Sequence, residues 1–401
     1  VWGSDEVAVW DVDHAQWKSR IAVGSHPNEM CFDAKTKRLF VANANDNSVS
    51  VINLTNYRVE ETLNAAIFPG SLQGSTTNGL CLLDKGKKLA IANADNNCVT
   101  IFDISKVSQS KSEGFIPVGW YPTNVKCIGN KLWVTDGKGL RSMANPDGPR
   151  PVDVKEKFEH HKGDANHTKV EYIGGLFMGA LSIIDVPDKK QLKVYSKQVF
   201  ANTPYQKDKE LVAESEPGNP IPSRVGEKSP IKYVFYVIKE NRTYDQVLGD
   251  IAKGNGDSTL TLFGEYYTPN LHKIANDFVL LDNFYVNAEV SCDGHNWTMG
   301  GYATDYLEKT WPSYYSSRGD VYSGEGQHHM GNNKGGFFWD MCKRFGVNYR
   351  TYGEFCNGTT VKSVKEKKHT SVHPTIKSLE GHFCENFEPF NLDFCDTLRY
   401  R

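Results

Sequence analysis

The sequence predicts a multidomain chain, with an all-β propeller-type region of about four blade-like units followed by an α/β domain. Three observations predict it. Two closely matching strand–turn–strand stretches recur about 50 residues apart, a proline-rich stretch divides the chain, and beyond it long apolar runs alternate with helix-like segments. A chain of 401 residues exceeds one ordinary hydrophobic core, so more than one domain is expected. A net charge of −2 gives no basic field, which argues against a nucleic-acid partner. No apolar run approaches the roughly 20 residues that span a bilayer, so no transmembrane segment is expected. The chain opens without Met on a strand-like run, Val7 to Val12, which suggests a processed or internal start.

The repeats come first in chain order. The stretch from Leu39 to Leu54 aligns with that from Leu89 to Ile104, each reading as two short strands around an Asn/Asp-rich turn. Asn and Asp tolerate the left-handed backbone that tight hairpins need. Weaker echoes lie at residues 5–12, 131–136 and 179–186, and a Val-Gly-x-x-Pro string precedes two of the units at Val23 and Val118. Four short strands in a period of 40–50 residues is the pattern of a propeller blade. Cys31, Cys81, Cys98 and Cys127 fall in strand-like settings as small buried hydrophobes, whereas Cys384 and Cys395 flank an aromatic, acidic loop and form a candidate disulfide. Residues 141–174, with His160, His161 and His167, read as a solvated loop insertion.

The boundaries drawn are propeller blades over 1–200, a linker over 201–230 and an α/β domain over 231–401. Pro204, Pro217, Pro220, Pro222 and Pro230 among Lys, Glu and Ser give the linker an extended character. After it, Tyr233 to Ile238 reads as a buried strand that ends in Glu240-Asn241-Arg242. A short helix is expected near Thr268–Asn276 with Pro269 at its start, then a strand over Phe278–Tyr285 that delivers Ser291, then a helix from about Asn296 to Leu307. Such a βαβ unit brings both polar clusters to one edge.

Glu240 and Asn241 offer hard oxygens suited to a divalent cation, and Ser291 offers a hydroxyl at a strand-to-helix turn. A nearby metal would activate that hydroxyl and neutralise charge on a phosphoryl group. The blander reading makes Glu240-Asn241-Arg242 a surface turn and Ser291 a helix cap. His295, one helical turn on, reads as a phosphate-contacting imidazole or as a packed core side chain. Asp293 is expected to bond its own turn rather than a ligand, and Gly324 to His329 to form a mobile, solvated loop rather than to line the pocket.

Two resemblances sharpen these readings. The repeat strings resemble the YVTN-type β-propeller family. The stretch from Ser229 to Asp250, with Asp282 to Tyr285, Ser291-Cys-Asp-Gly-His-Asn-Trp297 and Gly346 to Glu354, resembles the phosphoesterase family of acid phosphatases and phospholipases C in the alkaline phosphatase superfamily. The second resemblance spans about residues 218–401 and implies an alkaline-phosphatase-like α/β domain of which this is the N-terminal part. It implies metal ligation by Glu240 and Asn241, a Ser291 nucleophile and a role for His295 beside it. It further implies hydrolysis of a phosphate ester with a divalent metal ion (Ca, Mg, Mn, Fe or Zn), and a periplasmic, cell-surface or secreted location. The family's downstream Asp-Asp and His-bearing strings have no counterpart before Arg401, so a continuation of the polypeptide and half a metal site are expected, with the residues shown inactive alone. The rival expectation is a non-catalytic binding protein whose propeller takes an unknown ligand.

Overall fold

The computed structural model describes residues 1–140, 177–316, 319, 321–357 and 372–384. His160, His161, His167 and Cys395 lie outside them. Contacts divide the chain into two compact units, one of 1–143, 172–199 and 286–401, the other of 144–171 and 200–285.

The first unit begins with a two-stranded ribbon, β1 (Glu6–Asp11) and β2 (Gln16–Ala22). Two four-stranded antiparallel meanders follow: β3 (Pro27–Asp33), β4 (Arg38–Asn43), β5 (Ser48–Asn53) and β6 (Arg58–Asn64), then β7 (Thr77–Leu83), β8 (Lys88–Asn93), β9 (Cys98–Asp103) and β10 (Lys111–Pro117). A three-stranded sheet joins β11 (Pro122–Ile128), β12 (Lys131–Asp136) and β13 (Ala180–Asp185). Sequential four-stranded meanders are propeller-like.

The repeats occupy equivalent positions in this architecture. Leu39 pairs with Ile52 and Leu89 with Phe102, the same register in both central hairpins. Asn47 and Asn97 close those hairpins at φ 53° and 51°, the left-handed region that the Asn/Asp-rich turns predict. Their side chains also clip the next sheet: Asn47 Oδ1 accepts from Ser75 N at 2.6 Å, and Asn97 Oδ1 accepts from Tyr121 N at 2.9 Å. Buried Asn43 donates to Ser48 Oγ (3.0 Å) as buried Asn93 donates to Thr100 Oγ1 (2.7 Å), so neither amide nitrogen is stranded in the core.

Alternation along the strands puts Phe40, Val49 and Val51 against Leu80, Leu89, Ile91 and Phe102. The opposite face of the second meander puts Ala90, Val99 and Ile101 against Val125, Leu132 and Val134. Each such aliphatic side chain contributes about 1.5–3 kcal/mol on burial, which makes these two layers the main stabilising core. Cys98 is buried and Cys31, Cys81 and Cys127 are half-buried, all unbridged. Helix α1 (Lys189–Ala201) buries Leu192 and Val199, with Ser196 Oγ accepting from Phe115 N at 2.9 Å.

In the second unit, α2 (Tyr244–Leu248) and α3 (Pro269–Asp277) form, the latter with proline in its first turn as expected. Asp250 receives His272 Nε2 at 2.8 Å and ties the two segments. The expected strands do not form. Residues 231–240 and 279–285 join no sheet among the described residues, and their apolar side chains are exposed, Phe235 by 91% and Val279 by 80%. A β-prone run becomes a strand only when a neighbour takes up its backbone groups, and no such neighbour is described. The expected βαβ unit is therefore absent from the described residues.

The last part of the first unit is helical: α4 (Ser291–Gly300), α5 (Asp305–Tyr315) and α6 (Phe338–Arg344), with a small bridge of β14 (Cys356–Asn357) and β15 (His373–Pro374). The single helix expected over 296–307 is replaced by two. Gly301 ends α4 at φ 79°, and Thr304 caps α5 by accepting from Leu307 N at 3.4 Å. Among the described residues no helix is long and apolar enough to cross a membrane.

Candidate functional site

Ser291 is the first residue of α4, where backbone N–H groups lack partners within the helix and favour an anion. It is half-buried, next in sequence to Cys292 of the buried cluster with Ala303, Leu307 and Trp311. Tyr315, from α5, reaches back to it. The Tyr315 phenol accepts from Cys292 N at 3.2 Å and is hydrogen-bonded to the Ser291 side chain. Burial raises the Tyr315 phenol to about 12, so it stays neutral beside the serine. Burial likewise raises the Cys292 thiol to about 11, which leaves it a poor nucleophile next to Ser291.

One turn along α4, His295 Nδ1 meets Glu354 Oε1 at 2.9 Å, with the two side chains 11% and 17% exposed. Glu325 joins them: one ligand atom from each of His295, Glu325 and Glu354 lies within 4.8 Å of the others. The segment carrying Glu325 is not the solvated loop that its composition suggests. Ser323 and Gly324 are buried, and a Cβ on Gly324 would come within 2.5 Å of the Cys292 carbonyl oxygen, so only glycine lets the segment lie against α4. Asn296 Oδ1 then accepts from Glu325 N at 3.0 Å and Tyr322 donates to Glu325 Oε2 at 2.7 Å.

A second acidic group lies on the same helices. Glu289, Asp293 and Glu308 converge within 4.8 Å, and Lys138 sits among them at 2.8 Å from Glu289 and 3.2 Å from Glu308. Asp293 accepts from Val290 N at 3.2 Å and Glu289 N at 3.3 Å, the turn-bonding role expected of it. Burial, with Glu289 beside it, raises the Asp293 carboxyl to about 7; burial raises Glu308 to about 8 against the pull of Lys138. Burial also disfavours the charge on Lys138, but Glu308 and Glu289 outweigh it and keep the ammonium protonated.

Glu240 and Asn241 belong to the other unit. Both are exposed, and Asn241 has a left-handed backbone at φ 43°, which corrects the expectation of a buried ligand at the end of a buried strand. The pair supplies two oxygen donors suited to a hard cation, but within that unit no group of three or more His, Cys, Asp or Glu ligand atoms converges on it among the described residues. By themselves they do not fit a complete metal site. The structure brings together Ser291, His295 and Glu354 within one unit. Sequence reasoning missed Glu325 and Glu354 as neighbours of His295, and Tyr315 as a neighbour of Ser291. Glu354 stood in the quoted Tyr-Gly-Glu string, whereas nothing local marked Tyr315.

No known family model matches the chain, and no curated protein matches it. Solved structures show partial likeness. Kuenenia stuttgartiensis hydrazine synthase aligns over 33% of this chain and 36% of its own at 18% identity and TM-score 0.29. U3-55K aligns over 36% and 45% at 17% identity and TM-score 0.30. Apo AztD from Citrobacter koseri aligns over 31% and 32% at 15% identity and TM-score 0.26. The chain spans less than half the length of each, and the propeller-like assignment rests on the meanders themselves.

Proposed function

We propose that this chain carries the nucleophile-bearing part of a metal-dependent phosphoric ester hydrolase, with YVTN-type blades as a binding or scaffolding region. The observation that supports it most is Ser291 at the N-terminus of α4, with the His295–Glu354 pair one turn away on the same helix. A phosphoryl group there would meet the positive end of the helix.

In this reading Ser291 Oγ forms a bond to phosphorus as the ester oxygen leaves with a proton, and water then breaks the Oγ–P bond to release phosphate and restore the serine. Tyr315 orients the hydroxyl, and Glu354 fixes the ring of His295. A divalent metal would stabilise charge on the phosphoryl oxygens; Glu240 and Asn241 are the ligands that the family resemblance suggests. The resemblance also favours a periplasmic, cell-surface or secreted setting. A non-catalytic binding role is the second reading, favoured by the exposure of Glu240 and Asn241 outside any converging ligand group among the described residues of their unit.

Hydrolysis of an aryl phosphate by the intact protein tests the proposal, with mass spectrometry of the quenched intact protein as the second readout. Turnover and a phosphate adduct on Ser291 are expected, both lost in Ser291→Ala. Turnover that survives this substitution overturns the nucleophile assignment, and no turnover with any phosphomonoester or diester favours the binding role.

A further inference from the structure

We propose that His295, Glu325 and Glu354 form a binding site for one divalent transition-metal cation of the zinc or manganese class. The three side chains come from separate segments, α4, the 321–327 segment and the approach to β14, so their convergence is a product of the fold. Nitrogen and oxygen ligands at about 2.0–2.2 Å around such an ion stand roughly 3.3 Å from one another. His295 Nδ1 and Glu354 Oε1 are already 2.9 Å apart, and the third ligand atom lies within 4.8 Å, so closure needs only side-chain movement.

The ligand set favours a borderline cation. An imidazole nitrogen is a poor partner for calcium or magnesium, whereas one His and two carboxylates suit zinc or manganese and leave a further position for water or substrate. Two carboxylates also match a double positive charge. Glu325 is held for its task. Its backbone sits at φ 51°, which side-chain-bearing residues rarely adopt, and is pinned by Asn296 at 3.0 Å and by Thr375 Oγ1 donating to its carbonyl at 2.5 Å.

Binding of the ion does not depend on the hydrolase proposal; its purpose does. His295 lies four residues from Ser291, about 6 Å along the helix axis, which places the cation close enough to act on a phosphoryl group bound there.

Calorimetric titration of the chelator-stripped protein with Zn²⁺ and Mn²⁺, and with Ca²⁺ and Mg²⁺ for comparison, tests this. One equivalent of Zn²⁺ or Mn²⁺ is expected to bind at least tenfold more tightly than Ca²⁺ or Mg²⁺. Affinity should fall tenfold or more in Glu325→Gln and Glu354→Gln and stay at the wild-type value in Ser291→Ala. Because a variant can be less stable for other reasons, each is also melted with and without Zn²⁺: the wild type should be stabilised and Glu325→Gln should not. Absence of stoichiometric uptake, or wild-type affinity in both Glu→Gln variants, overturns the site. Uptake with no hydrolysis of any phosphate ester by the intact protein upholds the site and sinks the hydrolase proposal.

Discussion

Glu308 and Asp293 set the residue-scale behaviour with the clearest consequence. Both are buried on α5 and α4, and their carboxyls titrate near 8 and 7 in the folded chain against about 4 when unfolded. The folded state therefore holds protons that the unfolded state has released. Stability contributed this way is fully present below about pH 4 and is lost as pH rises through 7 to 8. The melting temperature should fall between pH 5 and 8, and Glu308→Gln should flatten that decline; an identical slope in the variant would refute the assignment. Tyr315 permits a second test. Its phenol takes the Cys292 N–H and bonds Ser291, so Tyr315→Phe leaves that amide unsatisfied and should cost about 1 kcal/mol in urea unfolding. At this scale the self-bonding of Asp293 was legible, because its own turn declares it, and Ser291 and His295 stood as candidates four residues apart. The sequence could not show Glu325, whose role needs a buried glycine beside it, or Tyr315, 24 residues away.

At the scale of elements, the hairpins were legible and the α/β strands were not, for one physical reason. Leu39–Leu54 and Leu89–Ile104 carry both partners and the turn within 16 residues, so pairing is local. The runs at 233–238 and 278–285 specify only one side of a ladder. Contacts between meanders were likewise invisible in sequence, and Gly79 on β7 marks one. A Cβ there would lie 2.6 Å from Asn124 Cα and 2.8 Å from Val125 N, backbone atoms of β11 that cannot step aside. Gly79→Ala should thus cost about 1–3 kcal/mol through overpacking. Gly335→Ala, with no atom within 4 Å of the added methyl, is the matched control and should melt near the wild type in the same calorimeter scan.

At the scale of the whole molecule, the two units differ in what holds them. The first is built on sheets stacked through fully buried aliphatic layers, so Ile91→Asp, at 0% exposure, should unfold it outright by stranding a charge in that core. In the second unit the apolar run Tyr233 to Ile238 is largely exposed. A continuous run such as Tyr233 to Ile238 has the pattern of a strand covered on both faces, yet Tyr233, Phe235 and Val237 are 81%, 91% and 78% exposed. Side chains that touch nothing contribute nothing to stability, so Phe235→Asp should change the unfolding free energy by no more than about 0.5 kcal/mol. The same substitution should lower binding of a hydrophobic dye, since it interrupts an exposed apolar stretch. A loss of several kcal/mol would instead show that Phe235 is packed in solution, and that the run is paired as a strand. Denaturant melts of the wild type, Phe235→Asp and the milder Ile91→Ala in parallel decide between the two, because the buried substitution, at about 2–5 kcal/mol, calibrates what a packed apolar site loses.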